Sequence, residues 1–120
     1  MRILIVEDAI HVASLLAESV RLQGHEAIVA TSGPEALSLL DLRCPDAVFL
    51  DIVMPGVSGI DVLRRIRVTH PALPVIVITG IASPKQIEEV RRLGVTEVIE
   101  KPFVLRHLEE ALGNLQAEGY

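Results

Sequence analysis

Five side chains able to handle phosphate or metal stand where short apolar runs end. Glu7 and Asp8 follow Arg2-Ile-Leu-Ile-Val6, and Asp51 follows Ala47-Val-Phe-Leu50. Thr79 follows Val75-Ile-Val-Ile78, and Lys101 follows Val98-Ile99-Glu100. Brought together, Glu7, Asp8 and Asp51 would repel one another unless a cation neutralised them. Oxygen-only ligation by a few carboxylates suits Mg²⁺, which keeps several waters and accepts one or two carboxylates plus a phosphate. Nothing resembles the dense acidic loop that Ca²⁺ favours. Asp51 has the sharpest context. A carboxylate ending a fully apolar strand is costly unless it is used, and an aspartate can attack phosphorus to form an acyl phosphate. Metal neutralisation and fixed hydrogen-bond donors would then stabilise the transferring group. Each residue also has a plain alternative. Glu7 and Asp8 could cap the next helix, Thr79 could merely finish a strand, and Lys101 could be a solvated cation. Order and spacing taken jointly favour the chemistry.

Bringing these residues together requires a parallel sheet, in which strand carboxyl ends share one edge. The chain reads as five repetitions of strand then helix. Strands are expected at 2–6, 26–30, 46–50, 75–79 and 96–100. The helix near 9–23 carries a stripe of Val12, Leu15, Leu16, Ser19 and Val20, and Gly24 ends it. Ser32-Gly33-Pro34 turns the chain into a second helix with Ala36, Leu37, Leu39 and Leu40 inward. A loop at 52–58, containing Met54-Pro55-Gly56, precedes a helix over Gly59–Thr69 whose outer side carries Arg64, Arg65 and Arg67. Helices follow near 84–92 and from about 103 to 117, the last periodic in Val104, Leu105, Leu108, Ala111, Leu112 and Leu115. The expected class is therefore α/β, doubly wound, with one domain over residues 1–120 and a linker starting near 117–120.

Composition narrows the function classes. Half of the 120 residues are hydrophobic, mean hydropathy is +0.46, and two Phe, one Tyr and no Trp leave an aliphatic core. No apolar run approaches the ~18 residues needed to span a bilayer, and carboxylates by position 7 argue against a signal peptide. No membrane partner is expected. A net charge of −5 disfavours direct nucleic-acid binding by this domain; an attached effector domain could still bind DNA. Cys44 is the only cysteine, which fits a reducing cytoplasm, and it is expected as a small buried or half-buried hydrophobe. His11, His25, His70 and His107 are scattered and read as surface or helix residues.

Glu7-Asp8, Asp51 with Met54-Pro55 and Gly59, Thr79-Gly80 and Lys101-Pro102-Phe103 occur in an order that closely resembles the receiver domain of two-component response regulators, of the chemotaxis-regulator type, over essentially the whole chain. The resemblance implies a flavodoxin-like (βα)5 fold with strand order 2-1-3-4-5, two helices on one face and three on the other. It implies that Asp51 is the phosphoacceptor for a histidine kinase or phosphotransfer protein. Mg²⁺ would be held by Asp8, Asp51, Glu7 through water, and the backbone carbonyl of Val53, with Thr79 and Lys101 on the phosphoryl oxygens. Such a domain promotes only its own phosphorylation and dephosphorylation, and is otherwise not an enzyme.

This chain departs from the family at Val98. Members often carry Tyr or Phe there, an aromatic that swings inward as Thr or Ser moves toward phosphate, and a β-branched Val cannot sweep that volume. Flanking the phosphate, Val53 and Ile81 are both apolar and cannot hold an attacking water, which implies a long-lived phosphoryl group. Lys85, Glu88, Arg91, Arg92, Glu97 and Arg106 lie on the fourth-helix, fifth-strand, fifth-helix face that forms homodimers in many members; a solvated face carries the same mixture and is the preferred reading. Two rival functions stand further off. A haloacid dehalogenase-like phosphatase uses similar groups but places its nucleophile after the first strand with a second Asp two residues on, where this chain has Val53. A phosphorylation-independent pseudo-receiver would have lost the acid pair, the Asp or the Lys. No glycine-rich nucleotide fingerprint follows the first strand.

Overall fold

Five short strands alternate with helices along the chain: β1 (Arg2–Val6), α1 (Ile10–Leu22), β2 (Glu26–Ala30), α2 (Gly33–Arg43), β3 (Ala47–Asp51), α3 (Gly59–Thr69), β4 (Val75–Thr79), α4 (Pro84–Leu93) and β5 (Glu97–Glu100). This is a computed structural model, and it describes residues 1–54, 56, 58–80, 82–100 and 110–115, the last segment helical. The expected boundaries hold to within about one residue; β3 includes Asp51 itself. The expected helix at 103–117 is described only over 110–115, and the suggested linker lies outside the described residues.

All five strands are parallel, in the order β2-β1-β3-β4-β5. The strands with no polar side chain before their last residue take the middle. β3 and β4 are buried at every position, whereas the edge strands β2 and β5 are partly exposed. Alternation across the pleat divides the core in two. Leu4, Val6, Val48, Leu50, Val75 and Val77 pack beneath α2, α3 and α4. Ile3, Ile5, Phe49, Ile76 and Ile78 pack beneath α1 and the helical residues Ala111, Leu112 and Leu115. Two helical segments therefore cover one face and three the other.

Serines start three helices on the site side. Ser32 accepts from the Glu35 amide and Ser58 from the Asp61 amide, while Ser83 and Gln86 form a reciprocal capping box. At the far end, Gly94 closes α4 in the left-handed region at φ +84°, a conformation glycine adopts without penalty.

Four expectations are corrected. Leu15 is 44% exposed; the inner face of α1 is made by Ala13, Leu16, Ala17, Ser19 and Val20, whose small residues let the helix approach the sheet. Cys44 is exposed because it closes α2 in the left-handed region (φ +46°), which turns its side chain outward. His25 is neither surface nor helical: it lies buried between α1 and β2, with Nδ1 3.0 Å from the Met1 amino group. Burial first, and that ammonium second, push its pKa down. Arg67 does not stand on the outside of α3. It is half-buried and reaches carbonyls of the α3–β4 and α4–β5 connections.

Candidate functional site

The parallel arrangement delivers Glu7, Asp8, Asp51 and Thr79 to one edge of the sheet, the carboxyl ends of β1, β3 and β4. β1 and β3 are direct neighbours with Val6 opposite Leu50. The residues just beyond them, Glu7-Asp8 and Asp51, are therefore forced together. Oxygens from Glu7, Asp8 and Asp51 all lie within 4.8 Å of one another. Glu7 and Asp51 are buried, at 1% and 3% exposure, while Asp8 reaches solvent. A buried anion beside two others is unfavourable unless compensated, and three hard oxygens converging on one point match a small divalent cation.

The helix-capping alternative for the acid pair is not what the structure shows. The N-cap of α1 is Ala9, without a side-chain cap. Glu7 Oε2 accepts from the Ala9 amide at 3.2 Å, ahead of the helix. Asp51 Oδ1 accepts from the Val53 amide at 3.0 Å, so the carboxylate is tied to the first turn of its own loop. Val53 is 45% exposed at the mouth of the crevice.

Thr79 ends β4 beside β3, with Ile78 opposite Asp51. It is 1% exposed, and its hydroxyl has no hydrogen-bond partner among the described residues. A buried orphan hydroxyl costs free energy, so its persistence at this position argues for use. Val98 is partly buried on the α2–α3–α4 side, opposite Val77 in the sheet. Lys101, Pro102, Phe103, Pro55, Ile81, Arg106 and His107 lie outside the described residues. Lys85, Glu88, Arg91 and Arg92 are exposed on α4, where Arg92 pairs with Glu88 within the helix at 3.1 Å. Such an exposed i,i+4 pair is what a solvated face carries.

Sequence reasoning missed Ser58, which holds the helix that backs the Asp51 loop. Its Oγ accepts from the Asp61 amide and donates to Asp61 Oδ2 at 3.1 Å. The signal was present as a serine three residues before an acid. A groove of about 420 Å³ opens at the opposite end of the sheet, between Pro71–Pro74 and Leu93–Thr96. The ionisable side chain lining it, Arg67, is already engaged with carbonyls, so the groove offers no comparable chemistry.

A doubly wound sheet of order 2-1-3-4-5 with an acid triad at its carboxyl edge defines the class, and comparison with known proteins supplies the family. Residues 3–113 match the response regulator receiver domain, and the chain belongs to that family of two-component signal-transduction modules. It is 32% identical over 111 residues to the sporulation initiation phosphotransferase F of Bacillus subtilis, covering 92% of this chain and 90% of that protein. It is 40% identical over 108 residues to the sensory transduction protein RegX3 of Mycobacterium tuberculosis, covering 88% of this chain. That match spans only 46% of RegX3, so the chain is about half the length of such relatives. Among solved structures, the receiver domain of NtrX from Brucella abortus superposes with a TM-score of 0.90 at 32% identity, over 98% of this chain and 99% of that one. The Vibrio cholerae chemotaxis protein CheY4 superposes with a TM-score of 0.88 at 25% identity, over 95% and 97%. Among the described residues no helix is long and apolar enough to cross a membrane.

Proposed function

We propose that this chain is the phosphoacceptor switch of a two-component relay, with Asp51 taking a phosphoryl group from a phosphohistidine of a histidine kinase or phosphotransfer protein. The observation that carries the reading is the convergence of Glu7, Asp8 and Asp51 oxygens within 4.8 Å at the sheet's carboxyl edge. The donor set fits Mg²⁺: Asp8 and Asp51 would hold it directly, Glu7 through water, and the Val53 carbonyl would complete the protein's share. Bound there, the cation would neutralise the crevice and the incoming phosphoryl oxygens.

The remaining work belongs to the chain. An Asp51 carboxylate oxygen attacks phosphorus, the P–N bond breaks, and its electron pair returns to the imidazole nitrogen, which takes up a proton. The product is an acyl phosphate on Asp51. The Val53 amide donates to Asp51 Oδ1 at 3.0 Å and so helps fix the orientation of the carboxylate. The Thr79 hydroxyl, buried at the end of the neighbouring strand β4, would donate to a phosphoryl oxygen, and Lys101, the next residue in sequence after β5, would meet another. The apolar Val53 offers no group to hold a hydrolytic water, which supports a slowly lost phosphoryl group. A histidine kinase or phosphotransfer partner of this kind would meet the chain in the cytoplasm.

Incubation with acetyl phosphate, with and without Mg²⁺, read by intact mass, tests this. A Mg²⁺-dependent phosphoryl adduct on the wild type and none on Asp51→Asn is expected. No adduct, or one that survives the substitution, overturns the assignment and favours a phosphorylation-independent module.

A further inference from the structure

We propose that Gly59 is a positioning residue for phosphoryl transfer, holding the Asp51 carboxylate and the Val53 backbone by pressing the first turn of α3 against the Asp51–Ile52 peptide. The inference rests on Asp51 being the phosphoacceptor. A Cβ at Gly59 would lie 2.1 Å from the Asp51 carbonyl oxygen, 2.4 Å from Ile52 Cα and 2.9 Å from the Asp51 carbonyl carbon. All three are backbone atoms, so no side chain can swing aside to make room. Gly59 is needed here for its missing side chain, not for unusual dihedrals: it lies inside a regular helix, in the first turn of α3.

That contact matters because of what it backs. The Asp51 carboxylate is bonded to the Val53 amide, two residues along the same loop. The peptide that Gly59 touches joins the two groups. The turn doing the touching is itself braced, since Ser58 Oγ accepts from the Asp61 amide and donates to Asp61 Oδ2, and Ile60, Val62 and Leu63 anchor it in the core. A side chain at position 59 must displace either this anchored helix or the strand end that carries the nucleophile. Strand β3 is paired with β1 up to Leu50 and with β4 up to Asp51, so the strand end at Asp51 and the loop just beyond it are the part that gives. Displacements of about 1 Å at reacting groups can cost up to about a hundredfold in rate.

Gly59→Ala is compared with Val20→Ala, a core truncation beneath α1 that is remote from the crevice, both measured below their melting temperatures. Mg²⁺ affinity is read by titration calorimetry and phosphorylation by acetyl phosphate at saturating Mg²⁺. Positioning predicts that Gly59→Ala weakens Mg²⁺ binding about tenfold and slows phosphorylation about tenfold or more, whereas Val20→Ala changes neither. If Gly59→Ala merely melts earlier and otherwise matches Val20→Ala, the proposal fails. Should Gly59→Ala not fold, Ser58→Ala decides: releasing the cap should weaken Mg²⁺ binding at least threefold, and unchanged affinity overturns the idea. The wild type separates the two levels. No adduct on wild-type Asp51 refutes the phosphoacceptor reading, whereas an adduct equally fast in Gly59→Ala refutes only this one.

Discussion

Replacing Arg67 by Ala should cost more stability than any other single arginine truncation on α3. Its guanidinium donates to Leu93 O at 2.9 Å, Gly94 O at 2.6 and 3.1 Å, Leu73 O at 2.8 Å and His70 O at 3.3 Å. These carbonyls belong to two connections, which the side chain cross-links beside the bond from the Thr96 amide to Val75 O at the start of β4. Burial lowers its pKa from the usual guanidinium value, the sign expected when a charge is desolvated. A hydrogen bond from a charged donor is worth about 1.5–3 kcal/mol. Only the bonds to Leu93, Leu73 and His70 are partly buried, and desolvation of the guanidinium offsets part of the gain. A net loss of about 2–3 kcal/mol follows for Arg67→Ala. For a domain of this size each kcal/mol shifts melting by roughly 3–5 °C, so the midpoint should fall by about 8–12 °C. Arg67→Lys keeps the charge but not the planar fork, and should recover about half. Arg65→Ala, exposed on the same helix, should stay within about 0.5 kcal/mol. Calorimetric melting of the three variants is the assay, with hydrogen exchange at Leu73 and at 93–96 reporting the loosened connections. If Arg67→Ala melts within about 2 °C of the wild type, water satisfies these carbonyls as well as the guanidinium does, and the cross-link argument is wrong.

Thr79→Val removes a buried hydroxyl without a partner among the described residues at nearly constant volume. It should leave stability unchanged or raise it by up to about 1 kcal/mol, while Mg²⁺-dependent phosphorylation slows; a stability loss beyond that would show the hydroxyl to be structurally engaged. His25 has its pKa lowered from 6.5, chiefly by burial, so the unfolded chain takes up a proton that the folded chain resists. Stability should therefore fall as pH drops through about 6.5 toward the lowered folded value, and His25→Asn should flatten melting profiles between pH 8 and 5.5. Glu26, lowered from 4.5 first by its bond to Arg2, loses its contribution only further into acid, outside that window. Val53→Asn should shorten the phosphoryl lifetime, followed by loss of the intact-mass adduct after donor removal; equal lifetimes would refute the role given to the apolar side chain.

The fold was legible because its signals are one-dimensional. β1, β3 and β4 are apolar at consecutive positions, which only strands covered on both faces tolerate, and Gly24, Pro34, Pro45 and Pro74 punctuate them. Strand register then places Glu7, Asp8, Asp51 and Thr79 without any further information, since Glu7, Asp51 and Thr79 are the first polar residues after their runs and Asp8 follows Glu7 directly. What the sequence concealed depends on rotation and distance. Helical periodicity alone set the face of α1 off by enough to misplace Leu15, because alanines carry little hydrophobic weight yet pack closest. Arg67 is chemically identical to its neighbours Arg64 and Arg65; only the nearby Leu93 and Gly94 carbonyls, supplied by a different helix, make it internal. Gly59 read from the sequence only as the start of a helix and one member of a motif, and the close approach that needs its missing side chain comes from a peptide eight residues upstream.

These failures and successes share a cause that also bears on function. Of the buried polar or charged residues described, Glu7, Asp51 and Thr79 stand at one edge of the sheet, and Ser19 and His25 elsewhere. Burial of polar groups is tolerated where local bonding compensates or where a ligand will. His25 meets the Met1 amine and lies away from the crevice, so its burial is an architectural matter of the α1–β2 connection. The Thr79 hydroxyl has no hydrogen-bond partner among the described residues, and the carboxylates beside it add like charge to like. A chain selected for stability alone would place apolar or small residues at those strand ends. The crevice is therefore where the buried carboxylates and a buried hydroxyl gather, and the first turn of α3, with no side chain at position 59, packs directly against the peptide that follows Asp51.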